Sequence, residues 1–454
     1  MATRKTVGTG RARGSKRPKS KAGGKLALFG GSKAVAGGVG PWPAVDAAAI
    51  RAVTEALRNE SLSPLIEGLP KQFEQQFARY HGRKYALMVN SGTAALHLAL
   101  VGCDIRPGDE VITTPYTWGA TTGCILHHNA IPVFADIDPE TLCLDPTKIE
   151  ERITSRTRAI LPAHIFGMPA YMAAIMKIAR KHGLAVVEDA SQAAGARYRG
   201  KLAGALGHVG AFSLQASKNL TAGEGGILIT NEFATYERAL LFGAHPVRMN
   251  AEVRKADLRA YIDSLGFTYR PHPLGAAIAR AQLPHLAAWT RDKNRNFTRL
   301  FRKIKGIAEP HGADFFRRHP KCLHGYHMVS FKIVHPDLEQ VPPPLVVEAL
   351  RREGMSVGGY VGTPIPLRPR FRDLLFYGRG CPWTCRHTHR LPDYTPGSWP
   401  VAEALCRRGE IILFGNHYKP DPTLMGQYAI AFQKLADNAE RLLERAEKSA
   451  TRRR

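Results

Sequence analysis

The chain has 454 residues, of which 44% are hydrophobic, and a formal net charge of +26 at pH 7. This length is enough for two domains with a substantial core, and the lack of any apolar stretch of about 18 residues or of an apolar leader argues against a membrane span or a secretory signal. Seven scattered cysteines, an odd number, favour free thiols in a reducing compartment, so we expect a soluble, cytoplasmic protein.

The positive charge is concentrated at the two ends of the chain. Residues 1–25 carry nine lysines and arginines and no acid, and the chain closes with Arg452, Arg453 and Arg454. We predict disordered basic tails over 1–25 and 447–454. The remaining positive charge suits an anionic substrate such as a sugar nucleotide, or loose attraction to nucleic acid, but an ordinary solvated face is favoured. No specific nucleic-acid partner is predicted.

Helix and strand patterns alternate from residue 45 onwards. Apolar residues repeat with a helical period over 45–58 and 71–80, and Asp46 is placed to cap the first of these helices. Short apolar runs, typical of buried strands, then alternate with helix-length segments such as 94–101 and 171–181. The predicted strands are 85–90, 110–114, 131–137, 158–165, 184–188, 211–215 and 226–230. This order predicts a three-layer α/β/α domain with a mainly parallel sheet, over residues 26–288.

The last third of the chain predicts a smaller α+β domain over 289–446. The large domain is expected to end in a helix within 274–286; the strands 328–334 and 411–415 and the helices 346–353 and 424–445 follow. The segment 364–400 has no period and predicts a long loop. Within this segment, Cys381 and Cys385 lie near His387 and His389, and these four side chains could bind zinc. Two unrelated thiols are the favoured interpretation, so no metal site is predicted.

Three side chains follow strand ends in an order that suggests chemistry. Asp189 ends the strand that begins with the apolar run 184–187, Ser213 lies on the strand 211–215, and Lys218 follows on a loop before the glycines of 223–226. Ligands bind beyond the carboxyl ends of parallel strands, so these side chains are expected to share a site. Pyridoxal phosphate requires a lysine for a Schiff base and an acid for its pyridine nitrogen, and Lys218 and Asp189 form the natural pair.

Two further motifs come after predicted strand ends. Ser91, Gly92 and Thr93 open a helix, where backbone N–H groups and a hydroxyl hold a phosphate, although a cap serving only the helix has the same sequence. In the motif PYTWGATT, Trp118 is placed to stack on a flat ring, whereas Tyr116 is better interpreted as a core aromatic. Together with Asp189, the first motif favours phosphate binding.

The motif E-D-A-S-Q…F-S-x-x-x-x-K-N-L-T-x-G-E-G-G in this chain resembles the DegT/StrS family of pyridoxal phosphate-dependent sugar aminotransferases. The stretches 73–100, 106–122, 131–142 and 157–170 are similar to that family in its order, and the resemblance covers roughly residues 45 to 290. It implies the aspartate aminotransferase-like fold, pyridoxal 5'-phosphate as cofactor and a homodimer. By position it implies a Schiff-base and catalytic role for Lys218 and a catalytic pyridine contact for Asp189. It also implies cofactor contacts by Gly92, Thr93, Trp118, Gln192 and Ser213.

One segment departs from the family pattern. The family commonly has Asn in a G-x-N-x-R segment that reaches the cofactor phosphate from the neighbouring subunit, and this chain has Thr268 at that position. Threonine has a shorter reach and one hydroxyl donor. We expect Thr268 and Arg270 to contact the cofactor across a dimer.

The resemblance implies an aminotransferase that moves an amino group between glutamate or glutamine and a keto group of a nucleotide-linked sugar or a cyclitol. Specificity is expected from residues 61–69 and 360–367, with the segment 364–400 as a further contributor. One alternative is a dehydratase or epimerase using the same cofactor, which is disfavoured because such family members carry histidine at the position of Lys218. Another is a non-catalytic regulatory or binding protein, which the presence of Asp189 and Lys218 argues against.

Overall fold

The computed structural model describes residues 24–59, 62, 63, 65–388 and 392–451. The predicted tail over 1–25 therefore lies outside the described residues except for Gly24 and Lys25, as do Arg452, Arg453 and Arg454 of the second tail. The part of that second tail up to residue 451 belongs to the last helix of the fold.

Thirteen strands form three sheets within the described residues. They are β1 (Tyr85–Val89), β2 (Glu110–Thr113), β3 (Ile131–Phe134), β4 (Thr157–Leu161), β5 (Ala185–Asp189), β6 (Arg197–Tyr198), β7 (Lys201–Leu202), β8 (Val209–Ser213), β9 (Gly226–Thr230), β10 (Ala308–Pro310), β11 (Val329–Ile333), β12 (Val357–Gly358) and β13 (Ile411–Leu413).

Sixteen α-helices accompany the strands in the same part of the chain. They are α1 (Ala47–Asn59), α2 (Leu69–His81), α3 (Gly92–Gly102), α4 (Gly119–His127), α5 (Met172–His182), α6 (Phe233–Gly243), α7 (Pro246–Glu252), α8 (Ala256–Arg259), α9 (Pro273–Gln282), α10 (Leu286–Lys303), α11 (Ala313–Arg318), α12 (Pro343–Arg352), α13 (Pro369–Arg372), α14 (Pro400–Arg408), α15 (Pro422–Asp437) and α16 (Ala439–Thr451).

The large sheet has seven strands in the order β1-β9-β8-β5-β4-β2-β3. Neighbouring strands from β8 to β3 run parallel, and only β9 is antiparallel to its two neighbours. The strands of this sheet are almost continuous apolar runs because helices cover both of its faces, as expected of a parallel sheet. The predicted α/β class and mainly parallel sheet are confirmed.

A second, antiparallel sheet of four strands, in the order β10-β11-β13-β12, forms the C-terminal part. It packs with α12 and α15 around its own apolar core. The predicted boundary between residues 288 and 289 falls inside α10, which connects the two parts. The division into two domains therefore stays a prediction. In the part of the chain that is described, no helix is long and apolar enough to cross a membrane.

Helix ends follow local side-chain chemistry. Asp46 caps α1 as predicted, because its Oδ1 accepts a hydrogen bond from the N–H of Ala49 at 2.8 Å. The single helix predicted over 424–445 is wrong, since α15 and α16 are separated at Asn438. The amide of Asn438 donates to the carbonyls of Lys434 and Gly24 instead of facing solvent. These two hydrogen bonds, one local and one to the start of the described chain, compete with a continuous helix.

The segment 364–400 covers the open edge of the large sheet at β3. The hydroxyl of Tyr394 donates to the carbonyl of Pro132 at 2.7 Å, and Nε1 of Trp399 donates to the carbonyl of Phe134 at 3.1 Å. The buried Trp383 in turn donates its Nε1–H to the Tyr394 hydroxyl. An edge strand whose carbonyls are occupied in this way is protected against pairing with another chain.

We predict that Tyr394→Phe lowers the free energy of unfolding by about 2 kcal/mol, because it leaves the indole N–H of Trp383 and the carbonyl of Pro132 without a partner. Urea denaturation measures this loss. The matched control is Tyr377→Phe in the same segment, because that ring is 57% exposed and its hydroxyl lies 3.4 Å from its acceptor. Equal losses in the two variants would contradict the role of Tyr394 at the sheet edge.

Candidate active site

A cavity of about 570 Å³ lies at the carboxyl ends of β5 and β8. Seven of the nine predicted site residues line it together, namely Gly92, Thr93, Trp118, Asp189, Gln192, Ser213 and Lys218. They come from the start of α3, the start of α4, the end of β5 and the β8–β9 connection. These residues therefore lie together, as expected from their positions after the carboxyl ends of parallel strands.

Asp189 is held in a fixed orientation at the end of β5. Its Oδ2 accepts from the Thr121 hydroxyl at 2.6 Å, and its Oδ1 accepts from the N–H of Ser191 at 3.0 Å. The residue is 7% exposed, and that small opening faces the cavity. A carboxylate with two donors and one open side is prepared to receive a positively charged group.

The neighbouring Glu188 points to the opposite side of β5 and has a structural role. Its carboxylate accepts from the N–H groups of Gly204, Leu206 and Gly207 and pairs with Nε2 of His164 at 2.9 Å. Burial opposes ionisation, but these donors outweigh it and keep the pKa of Glu188 lowered. His164 is therefore engaged by Glu188 and does not line the cavity.

Lys218 lies on the loop after β8 and faces the same cavity as Asp189. Burial lowers the pKa of its amine, and the nearby Asp189 carboxylate partly offsets that effect. A buried lysine with a lowered pKa has a larger share of the neutral, nucleophilic amine than a surface lysine.

The start of α3 meets the end of β8 at very short range. A Cβ on Gly92 would lie 2.7 Å from the Cβ of Ser213, so only glycine permits this approach. Ser91 caps the helix by accepting from the N–H of Ala94 at 3.1 Å. Thr93 and Ser213 remain at the cavity wall, where the free N–H groups of the helix start attract an anion.

The two aromatic residues of the PYTW motif behave differently. Tyr116 is fully buried and packs edge-on against Phe166 and Tyr360, in agreement with its interpretation as a core aromatic. Trp118 precedes α4 and is 67% exposed at the cavity. A tryptophan this exposed beside the cavity is available to cover a flat ligand.

Gln192 forms a bridge across the cavity wall. Its Oε1 accepts from the N–H of Phe166 at 2.7 Å, and its Nε2 donates to the hydroxyl of Tyr360 at 3.2 Å. Tyr360 follows β12, so this bond joins the C-terminal part to the large sheet at the site.

Thr268 and Arg270 lie apart from the other seven residues. They line a separate cavity of about 250 Å³ together with residues near the start of α2. Nη1 of Arg270 lies 3.3 Å from the Ser63 hydroxyl. The structure does not bring them to Lys218 within one chain, and their contact with a cofactor across a dimer stays a prediction.

Sequence reasoning missed three residues of this site. Thr121 lies in the quoted PYTWGATT motif, but its hydrogen bond to Asp189 was not foreseen. Tyr360 was expected only within a specificity segment, and His327 was not singled out. Tyr360 and His327 come from distant parts of the chain, and no local pattern marks them.

Cys381 and Cys385 do not belong to a metal centre within the described part of the chain. All seven cysteines are free thiols. Among the described residues there is no group of three or more histidine, cysteine, aspartate or glutamate side chains placed to hold a metal ion. His389, one member of the alternative zinc clip, lies outside the described residues.

We predict that Glu188→Gln lowers the free energy of unfolding by roughly 3 kcal/mol at pH 7, because an amide replaces one of the acceptor oxygens that face four donors. The folded-state pKa of Glu188 is lowered, so its stabilisation is complete above the ordinary value of 4.5 and is lost as the pH falls through the lowered pKa. Urea titrations at pH 7 and below pH 4.5 should show the difference from wild type shrinking with acid. Glu150→Gln, on the surface, is the control and should change stability little.

Comparison with known proteins places this site in a family. The sequence profile of the DegT/DnrJ/EryC1/StrS aminotransferase family matches residues 43–394. A pleiotropic regulatory protein of Geobacillus stearothermophilus is 34% identical over 331 residues, covering 72% of this chain and 82% of that protein. A Micromonospora echinospora protein, provisionally named an L-glutamine:3-amino-2,3-dideoxy-scyllo-inosose aminotransferase, is 31% identical over 91% of this chain and 97% of its own length.

The fold comparison gives the same result. The X-ray structure of the aminotransferase from Psychrobacter cryohalolentis matches with a TM-score of 0.75 and 26% identity, covering 89% of this chain and 100% of that chain. The profile match extends from the start of the large-sheet part well into the C-terminal part. This chain belongs to the DegT/DnrJ/EryC1/StrS aminotransferase family, whose members are pyridoxal phosphate-dependent sugar aminotransferases.

Proposed function

We propose that this protein is a pyridoxal phosphate-dependent aminotransferase that transfers an amino group from glutamine or glutamate to a keto group of a cyclitol or a nucleotide-linked sugar. The observation that carries the proposal is that Lys218, with its lowered pKa, and Asp189 line one cavity. The name of the Micromonospora echinospora relative supports glutamine as the donor and a keto-cyclitol as the acceptor.

The cavity residues fit this cofactor. The start of α3 with Thr93, close to Ser213, offers hydrogen-bond donors for a phosphate, and Gly92 permits this close approach because a Cβ there would lie 2.7 Å from the Cβ of Ser213. Asp189 offers a buried carboxylate for a protonated pyridine nitrogen. The exposed ring of Trp118 offers a stacking surface. Gln192 is already bonded at both ends of its amide, so we propose that it acts by holding Tyr360 and Phe166 in place.

When bound, pyridoxal phosphate supplies an aldehyde that reacts with amines and a ring that accepts electrons. Lys218 presents the amine for attachment, and its Nζ is the group we propose to accept and return a proton beside the substrate. The carboxylate of Asp189, fixed by its Thr121 and Ser191 donors, would keep a proton on the pyridine nitrogen of the cofactor.

Two alternatives use the same fold. A dehydratase or epimerase is disfavoured because this chain has Lys218. Members of the family that dehydrate sugars carry histidine at that position. A regulatory or binding protein without catalysis is disfavoured because Asp189 and Lys218 are both present and face one cavity. A product assay with glutamine and a keto-cyclitol separates all three functions.

We predict that Lys218→Ala removes the visible imine band of the protein with bound pyridoxal phosphate and lowers turnover on the order of 10³-fold or more while leaving the fold intact, because the amine that attaches the cofactor and carries the proton is lost. Absorption spectra and single-turnover assays with glutamine measure both effects. Lys201→Ala is the control, since that side chain is exposed on β7. Full activity of Lys218→Ala would contradict the assignment.

We predict a homodimer in which Thr268 and Arg270 complete the partner's site. Lys218→Ala and Arg270→Ala should each be inactive alone, whereas a refolded or coexpressed mixture should recover about a quarter of the wild-type activity, because half of the dimers then contain one site with both native residues. Sedimentation and activity of the mixture test this. No recovery in a confirmed mixed dimer would mean that each chain builds its site alone.

A further inference from the structure

Lys293 is a buried lysine without a carboxylate partner. It lies on α10, is 2% exposed, and forms no ion pair with any described acid. Burial lowers the pKa of its amine to about 7. Its Nζ donates to Oδ1 of Asn219 at 2.7 Å and to the carbonyl of Tyr326 at 3.3 Å. Burying a lysine amine costs free energy unless the amine is hydrogen-bonded, and these two acceptors satisfy it.

The two acceptors adjoin two residues of the cavity. Asn219 directly follows Lys218, and Tyr326 directly precedes His327, which lines the same cavity. The two segments are also joined to each other, because Nδ2 of Asn219 donates to the carbonyl of Gly325 at 2.8 Å. One ammonium group therefore connects the loop of Lys218 with the segment that leads into β11.

The segment before His327 is strained and needs external support. Tyr326 has a φ of +47°, a left-handed conformation that is unfavourable for a bulky side chain. Strained backbone persists where surrounding contacts fix it. Here the contacts come from Lys293, Asn219 and Asn294, whose Nδ2 donates to the carbonyl of His324 at 2.8 Å.

His327 lines the cavity as a neutral imidazole. Its Nδ1 is buried without a hydrogen-bond partner among the described residues, and the side chain is 6% exposed. Burial lowers the pKa of His327 well below its ordinary value, and the charges of Lys218 and Lys293 add to this effect. A neutral imidazole with an unpaired nitrogen is suited to bond a hydroxyl or amine of a ligand.

We infer that Lys293 is a positioning residue of this site: by bonding Asn219 and Tyr326 at once, it fixes Lys218 and His327 relative to each other. The inference rests on the proposed function, because it assigns both residues to one reaction. Small displacements of reacting groups reduce turnover more than they weaken substrate binding. The alternative is that Lys293 contributes only to the stability of the fold.

Lys434 provides a matched control. It is also a buried lysine on a helix, and its Nζ donates to Glu353 and to the carbonyl of Ser32, both at 2.6 Å. Those partners anchor residues near the start of the described chain and do not line the cavity. Lys434→Met therefore removes two buried hydrogen bonds, one of them within an ion pair with Glu353, without touching the site.

The experiment compares Lys293→Met with Lys434→Met in the full-length protein. Hydrogen exchange of the protein without added cofactor is followed in peptides over 214–222 and 323–329, and pyridoxal phosphate is then titrated by absorbance. In Lys293→Met we expect exchange to rise about tenfold in both peptides. We also expect the dissociation constant for pyridoxal phosphate to rise about tenfold and kcat to fall about 10- to 100-fold, with KM for glutamine within about threefold. Lys434→Met should change only the exchange near residues 26–35 and 353.

The outcomes decide between the two roles. Unchanged exchange in either peptide of Lys293→Met overturns the inference, as does an equal loss of cofactor affinity in Lys434→Met at the same melting temperature. A wild-type protein that fails to bind pyridoxal phosphate contradicts the proposed function, and the exchange measurements then still decide whether Lys293 holds the two segments. If Lys293→Met does not fold, Lys293→Gln, which keeps a shorter N–H donor, should raise exchange in the same two peptides.

Discussion

The site depends on a buried carboxylate that takes no direct part in it. Glu188 at the end of β5 is completely enclosed, so its charge persists only because His164 and the N–H groups of residues 204–207 donate to it. These bonds fix the turn that leads into β8 against the end of β5. Because successive side chains of a strand point to opposite faces, Asp189 then faces the cavity, near Ser213 on β8.

The cavity is completed by the smaller sheet, which explains why the two parts of the chain pack at this point. Tyr360, after β12, reaches Gln192, and His327, before β11, reaches the cavity through a segment held by Lys293. The large-sheet part provides Asp189, Lys218 and the start of α3, while Tyr360 and His327 of the cavity wall come from the C-terminal part. A change in the packing of α10 therefore affects binding groups from both sheets.

The sequence was sufficient for residues whose role depends on a local pattern and insufficient for those that depend on distant contacts. Asp189, Lys218 and Gly92 follow strands that apolar runs identify, so their shared location follows from the rule for parallel sheets. Tyr360 bonds a partner 168 positions away, and Lys293 bonds one 74 positions away. The break at Asn438 was missed for a related reason, because its amide bonds the backbone at Gly24, at the opposite end of the described chain.

The segment 360–400 has two parts that contact different regions of the large sheet. Its first part reaches the site, because the N–H of Ile365 donates to the carbonyl of Pro115 at 2.9 Å and Arg368 lies next to Gly119 at the start of α4. In its later part, Tyr394 and Trp399 donate hydrogen bonds to the backbone of β3 and so protect the edge of the sheet. Residues of that later part are constrained by the backbone of β3, whereas Tyr360 in the first part lines the cavity. Differences in acceptor preference among relatives are therefore expected to be encoded in the first part of the segment.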